Sequence, residues 1–439
     1  MDNTQDKNTH TQTENGNLNS SFKFPPLCKR FLLHVNTLYI DLQDFLKVMH
    51  VLFYYARLFG VGGSASYPWK IWGALILCLL IGIEIYAIYK VMRALAGLAV
   101  STVGHRSVTA RLAGAMFYGS CILSLIFCWR LSSSWITLSK YWASVEWILS
   151  IKYVPSDPTL RRRLICVTLL IIVCGVLEHI MSVIAVIELS WPAWLMFRRY
   201  TLRSHGFILL PEDYSVPLGV FLFFINNIAT VLWNLQDLYI VLISMGLTSR
   251  YHRLNQCVAT VCSRSEKENS WSKNLEPLKL YTWRKIREAY VKQAMLVRKV
   301  NDSLGGLVLL SNACNFYFIC LQLFLGISQG TASTMQKELY YLISLAWICI
   351  RASSVVLSAA NVHSYSKRAL PYLYSCRSQY YNIEIERLQT QLTKEYVALT
   401  GMGLFSLTRT VLLQMAGAIV TYELVLIQFD NSDHNSTQG

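Results

Sequence analysis

Glu84, Glu178, Asp237, Glu423 and Arg351 interrupt stretches of sequence that otherwise carry almost no charge. An ionisable side chain inside a bilayer costs at least about 2.5 kcal/mol, so it faces a bundle interior or a wet cavity. Asn227, Thr230, Asn234 and Asp237 recur at helical spacing and form one polar stripe, with Trp233 near the same face. His179 follows Glu178. The next apolar run adds Asn312, Asn315, Tyr317 and Gln322, and the one after it adds Trp347 and Arg351.

Carboxylates, amides, an arginine and aromatic rings are the mixture that a polyhydroxylated molecule such as a sugar demands. Its hydroxyls need donors and acceptors in place of water, and its C–H faces lie flat on aromatic rings. The ligand-binding candidates are therefore Glu178, His179, Trp233, Asn234, Asp237, Asn315, Tyr317, Gln322, Trp347 and Arg351. A second reading stands beside this one: polar groups between packed helices also serve only to hydrogen-bond one another. An Asp–Arg pair can likewise be purely structural. Glu84, alone in its run beside Tyr86 and Tyr89, reads as structural.

Other chemistries find no footing. GVGGSAS at 60–66 and SLGG at 303–306 read as turn or helix-start material, and no nucleophile motif of the G-x-S-x-G kind occurs. The 12 cysteines show no CxxC pair and no zinc spacing, so neither a metal site nor a cofactor is expected. The net charge of +15 does not point to nucleic acid, because the basic residues lie in loops between apolar runs.

What must position these groups is a membrane bundle. The chain has 439 residues, 54% of them hydrophobic, with the charges segregated between long apolar runs. Seven windows are long and apolar enough to cross a bilayer: 71–89, 112–129, 164–189, 216–246, 303–327, 338–361 and 411–429. The run at 45–60 is shorter, carries Lys47, His50 and Arg57, and reads as an interfacial or re-entrant helix. Of the 40 Lys and Arg, 31 fall on one side of this layout and 8 on the other. That bias puts the N-terminus in the cytoplasm and the C-terminus outside. The fold class is thus an all-α membrane protein with seven transmembrane helices, and a rhodopsin-like topology is excluded.

The divisions follow. Residues 1–44 form a cytoplasmic, disordered N-terminal segment without a signal peptide. Residues 45–361 form a six-helix ligand-binding region with the interfacial helix and cytoplasmic helical extensions. Residues 362–410 form cytoplasmic anchor helices, 411–430 the last span, and 431–439 an extracellular tail with a glycosylation match at Asn435. Leu278, Trp283, Ile286, Tyr290, Met295 and Val300 extend the fifth span into the cytoplasm as a helix. Ile383, Ile385, Leu388, Leu392 and Val397 mark a second amphipathic helix there. Residues 263–274 read as a flexible loop.

The last span carries the most specific pattern. Thr421 and Tyr422, five residues, then Gln428 and Phe429 match TYhhhhhQF, with Glu423 breaking the apolar run. This resembles the signature of the insect gustatory receptors, and TYE…QFD resembles their sugar-sensing branch. The resemblance extends to LEH at 177–179 and WNLQDLYIVLISMGL at 233–247. It implies a sugar-gated, non-selective cation channel, not an enzyme, in the plasma membrane of a gustatory neuron's dendrite. It further implies a homo- or hetero-tetramer of related subunits embedded in lipid, with permeating cations passing between four copies of the last span. The resemblance places the closed gate at Val425, and Thr421, Val425 and Gln428 share one helical face. A non-sugar gustatory receptor is the near alternative. A secondary transporter fits less well, since the halves show no repeat and the span count is odd.

Overall fold

The computed structural model describes residues 44–63, 66–96, 108–148, 157–186, 192–267, 276–328, 335–376 and 381–436. The expected disordered segment at 1–44 and the end of the C-terminal tail fall almost wholly outside these residues. So does most of the 263–274 loop, though its first residues continue a helix.

Among the described residues every regular element is a helix. The first, α1 (44–56), runs into a 3₁₀ turn at Arg57–Phe59. Its 13 described residues reach about 20 Å. Its apolar face packs inward: Phe45 stacks on Trp142, and Phe53 stacks on Tyr239. There follow α2 (Tyr67–Leu95), α3 (Val108–Ile148), α4 (Leu160–Val186), the short α5 (Ala193–Ser204), α6 (Val216–Lys267), α7 (Glu276–Ser328) and α8 (Met335–Ser366). Two small helices, α9 (Leu370–Tyr374) and α10 (Ile383–Lys394), precede α11 (Arg409–Ser436).

Six of these, α2, α3, α4, α6, α7 and α8, are the helices among the described residues long and apolar enough to span a membrane. They coincide with the first six apolar windows. The seventh window lies in α11, whose side chains from residue 426 onward fall outside the described set.

α6 is the central element and touches α3, α4, α7 and α8. Its Leu232, Ile240, Leu242, Ile243 and Leu247 are fully buried. At 52 and 53 residues, α6 and α7 are each about 80 Å long, more than twice a hydrocarbon core. Their excess length forms a second, helical layer beyond the spans, where the polar contacts change character. Glu146 of α3 is buried between Arg250 and Arg253 of α6, at 2.5 and 2.6 Å. The Arg250 Nε donates to Gln293 of α7 at 2.8 Å, and the Tyr290 hydroxyl donates to Asn255 at 2.7 Å.

The α7 extension buries Trp283, Ile286, Tyr290 and Val300 as its spacing requires, while Met295 points away. The helix expected around 383–397 is shorter than its apolar pattern. The Asn382 side chain caps α10 by accepting from the Glu384 and Ile385 amides, and Ile385, Leu388 and Leu392 are buried. Val397 is buried too, but in an extended segment after the helix ends. That segment turns back through a Thr400–Ser406 bridge, with Met402 and Gly403 at positive φ, and delivers the chain to α11. α11 packs on α7 and α8.

Candidate functional site

The polar groups of the spans gather into two connected layers among α4, α6, α7 and α8. One layer is built on Asp237 and Arg351, which are 0% and 3% exposed. The Arg351 Nε lies 2.8 Å from Asp237 Oδ2, an ion contact without hydrogen-bond alignment. Both terminal nitrogens are aligned: Nη1 donates to Asn234 Oδ1 at 2.8 Å and Nη2 to Asn315 Oδ1 at 3.2 Å. Asp237 also accepts from the Ser311 hydroxyl and, at 3.4 Å, from Asn315 Nδ2. A charge pair is tolerated at this depth only because so many donors and acceptors are satisfied around it. Trp233 covers the guanidinium with its ring centroid 4.3 Å from Cζ, and packs on Phe318 and Phe117.

The second layer centres on Glu178. Its Oε1 accepts from the Tyr340 hydroxyl at 3.3 Å and the Ser344 hydroxyl at 3.0 Å. Gln322 Nε2 donates to the Ser344 oxygen at 3.1 Å. Besides Arg351 Nε, the buried atoms Trp233 Nε1, Trp347 Nε1, Gln322 Oε1 and His179 Nε2 have no hydrogen-bond partner among the described residues. Unmet donors and acceptors in an apolar surrounding are costly unless something else supplies the bond.

The ten candidates do not all converge. Glu178, Trp233, Asn234, Asp237, Asn315, Gln322 and Arg351 belong to the two layers, with Trp347 beside them. His179 turns away from its neighbour and lines a separate cavity of about 660 Å³ between α1, α4 and α6. Tyr317 packs edge-on to Phe318 instead of joining the layers. The polar stripe of α6 divides in the same way. Asn227 and Thr230 line the cavity, each donating to a carbonyl one turn back, while Asn234 lines it and also serves Arg351.

Three contributors escaped the sequence reading: Ser311, Tyr340 and Ser344. Hydroxyls are common in membrane helices, but spacing held a signal. Ser311 stands one turn before Asn315, and Ser344 two turns before Arg351.

On α11, Thr421 and Val425 are exposed and one turn apart, and the Thr421 hydroxyl donates to Gly417. Glu423 points the other way and is buried, with neither carboxylate oxygen hydrogen-bonded among the described residues. Ile419 packs against Ile319, Ile348 and Ala352, a cluster that also includes Trp233 and Phe318. The side chains of Gln428 and Phe429 lie outside the described residues.

The described residues thus form a helical bundle with six candidate membrane spans and a buried, partly unsatisfied polar and aromatic cluster. Residues 69–438 match the trehalose receptor family, and the chain belongs to it, within the insect gustatory receptors, a family of receptors and not of enzymes. It is 31% identical over 323 residues to the Drosophila melanogaster gustatory receptor for sugar taste 64f, covering 72% of this chain and 65% of that one. It is also 31% identical over 335 residues to gustatory receptor for sugar taste 64a of the same fly, covering 74% and 70%. To that fly's gustatory receptor 5a for trehalose it is 30% identical over 315 residues, covering 70% and 67%. The chain thus spans 65% of the length of the first of these relatives. In fold it is similar to the insect olfactory receptor OR5 from Machilis hrabei, with a TM-score of 0.59 at 13% identity over 89% of this chain and all of that one. The same receptor in complex with eugenol gives a TM-score of 0.58 at 12% identity.

Proposed function

We propose that this chain is a subunit of a sugar-gated, non-selective cation channel in the plasma membrane of a gustatory neuron's dendrite. The carrying observation is the two-layer cluster, in which Trp233 Nε1 goes unmet over the Arg351–Asp237 pair and Gln322 Oε1 goes unmet in the Glu178 layer, as does Trp347 Nε1 on the same helix as Arg351. A sugar's hydroxyls would meet these atoms, and its C–H face would lie on an indole ring. The relatives named for sugar taste and trehalose support the ligand class.

In this reading the N-terminus is cytoplasmic, and α11 is the seventh span, lining the axis of a homo- or hetero-tetramer. Residues 45–361 hold the ligand and 362–410 anchor the subunits below the membrane. The face of Thr421 and Val425 is left exposed by the described residues of one chain, as a pore-lining face requires. Sugar opens the channel only by binding the open arrangement better than the closed one. The Ile419 cluster, which joins α11 to Trp233 and Phe318, transmits that preference.

Whole-cell current during perfusion with mono- and disaccharides tests the proposal. A sugar-evoked cation current is expected, with Gln322→Ala raising the half-maximal concentration at least about tenfold at unchanged surface level. Silence to every sugar, alone and with related subunits, would overturn it. A non-sugar ligand is the second reading, and the apolar cavity beside His179 favours it. A current evoked by an apolar tastant but not by any sugar would establish that reading.

A further inference from the structure

The cavity between α1, α4 and α6 takes no part in the sugar reading. Along α6 it extends from Phe223 to Leu238, about 22 Å at 1.5 Å per residue, and along α4 from Ile171 to Ile184, about 20 Å. Its volume of about 660 Å³ falls within the ordinary range for ligand sites, roughly 300–1,000 Å³. Ile172, Val176, Ile180 and Ile184 form an exposed edge on a membrane helix, so the mouth opens onto hydrocarbon. An elongated membrane molecule can therefore enter from the side.

The polar groups narrow the chemistry. None of the residues lining the cavity is a Lys or an Arg, so nothing there would neutralise a phosphate or a carboxylate. His179 Nε2 has no partner among the described residues. The Thr230 hydroxyl hydrogen and one of the two Asn227 amide hydrogens are committed to their own helix, which leaves both oxygens as acceptors and one Asn227 N–H as a donor. This wall suits a single uncharged hydroxyl, which both donates and accepts. At the α1 end, Leu52, Tyr55 and Arg57 stand in the order apolar, tyrosine, basic at short spacing, a pattern of low specificity associated with sterol contact. Here it gains weight, because Leu52 and Tyr55 both line the cavity.

We propose that the cavity between α1, α4 and α6 is a sterol site, entered from the bilayer, with the sterol hydroxyl held by His179, Asn227 and Thr230. The rigid ring system lies along α4 and α6 and ends against Tyr55 and Phe59. Asn234 is the wall shared with the Arg351 layer, so the sterol touches the cluster without entering it.

Photolabelling of the full chain in cell membranes tests this, using a diazirine-bearing sterol and peptide mapping by mass spectrometry. Adducts are expected on cavity-lining residues, competed away by excess unlabelled sterol. Val176→Trp, which fills the groove from an exposed position, should cut that labelling at least fivefold. Leu177→Trp, equally exposed but outside the cavity, should leave it unchanged. Surface biotinylation confirms that both variants fold and traffic. Labelling that resists competition, or that survives Val176→Trp, would mean simple proximity to the bilayer and overturn the site. Stronger labelling of the same residues by a diazirine fatty acid, uncompeted by sterol, would make the occupant an acyl chain and overturn the sterol assignment.

Discussion

Arg351 of α8 and Asp237 of α6 meet at 2.8 Å while almost wholly shielded from solvent, and each is the other's principal compensation. Removing one partner of such a pair leaves a buried charge and costs about 3–5 kcal/mol, whereas replacing both with apolar residues of similar volume is often neutral. Asp237→Leu alone should therefore strip the receptor from the cell surface. Asp237→Leu with Arg351→Met should restore surface level but give no sugar-evoked current. Surface biotinylation and whole-cell recording on the same cells check both halves. A double variant that still responds to sugar would reduce the pair to a structural role.

Gly175 of α4 lies where a side chain would disturb that pair at one remove. A Cβ placed there would sit 3.3 Å from Asn234 Oδ1, the atom that accepts from Arg351 Nη1. Asn234 is also tied by its amide to the Thr230 carbonyl at 2.9 Å, so it has little room to give. Gly175→Ala should raise the half-maximal sugar concentration by about two- to fivefold, and Gly175→Val by more than about tenfold. Dose–response curves normalised to surface level measure it. An unchanged curve for Gly175→Val would show that Asn234 does not hold Arg351 for binding.

Much of this arrangement could be read from residue order, and what could not has definite causes. Apolar length alone placed the six spans, because a bilayer leaves a chain few other options. The convergence of Asp237, Arg351, Asn234 and Asn315 followed from the cost of leaving any of them alone. Periodicity says which residues share a helix face but not which neighbour that face meets. Hence Glu178 and His179, adjacent in sequence, separate into the cluster and the lateral cavity. Likewise Asn227 and Thr230 share a stripe with Asn234 yet bond only to their own helix. Ser311 and Ser344 are marked only by their spacing from Asn315 and Arg351, and Tyr340 not even by that, since a hydroxyl in a membrane helix usually bonds one turn back and costs little.

Beyond the spans, Glu384 gives the fold a pH dependence. The hydrogen bond from Arg287 of α7 at 2.6 Å holds its carboxyl below the ordinary 4.5 against the opposing effect of burial, and Arg387 adds to it. A carboxyl depressed in the folded state contributes stability above its unfolded value and loses it as pH falls through the folded one. Melting temperature in detergent should therefore drop between about pH 5 and about pH 3, and Glu384→Gln should flatten part of that drop while lowering stability at neutral pH. An identical acid profile in the variant would show that the Arg287 contact does not link α10 to α7 in solution.

On α11 the exposed pair Thr421 and Val425 and the buried Glu423 face opposite ways, and the two faces should answer to different measurements. If the exposed face lines a closed pore, four valines exclude water from the constriction, and a smaller side chain weakens that barrier. Val425→Ala should then raise the cation current in the absence of sugar several-fold. Glu423 packs toward α7 and α8 with no hydrogen-bond partner for its carboxylate among the described residues. Its substitution by Gln should leave relative permeabilities to sodium, potassium and calcium unchanged, while Glu423→Ala should shift the sugar dose–response by opening a gap behind the helix. Altered permeability ratios in Glu423→Gln, with Val425→Ala silent, would mean that α11 presents its other face to the ions.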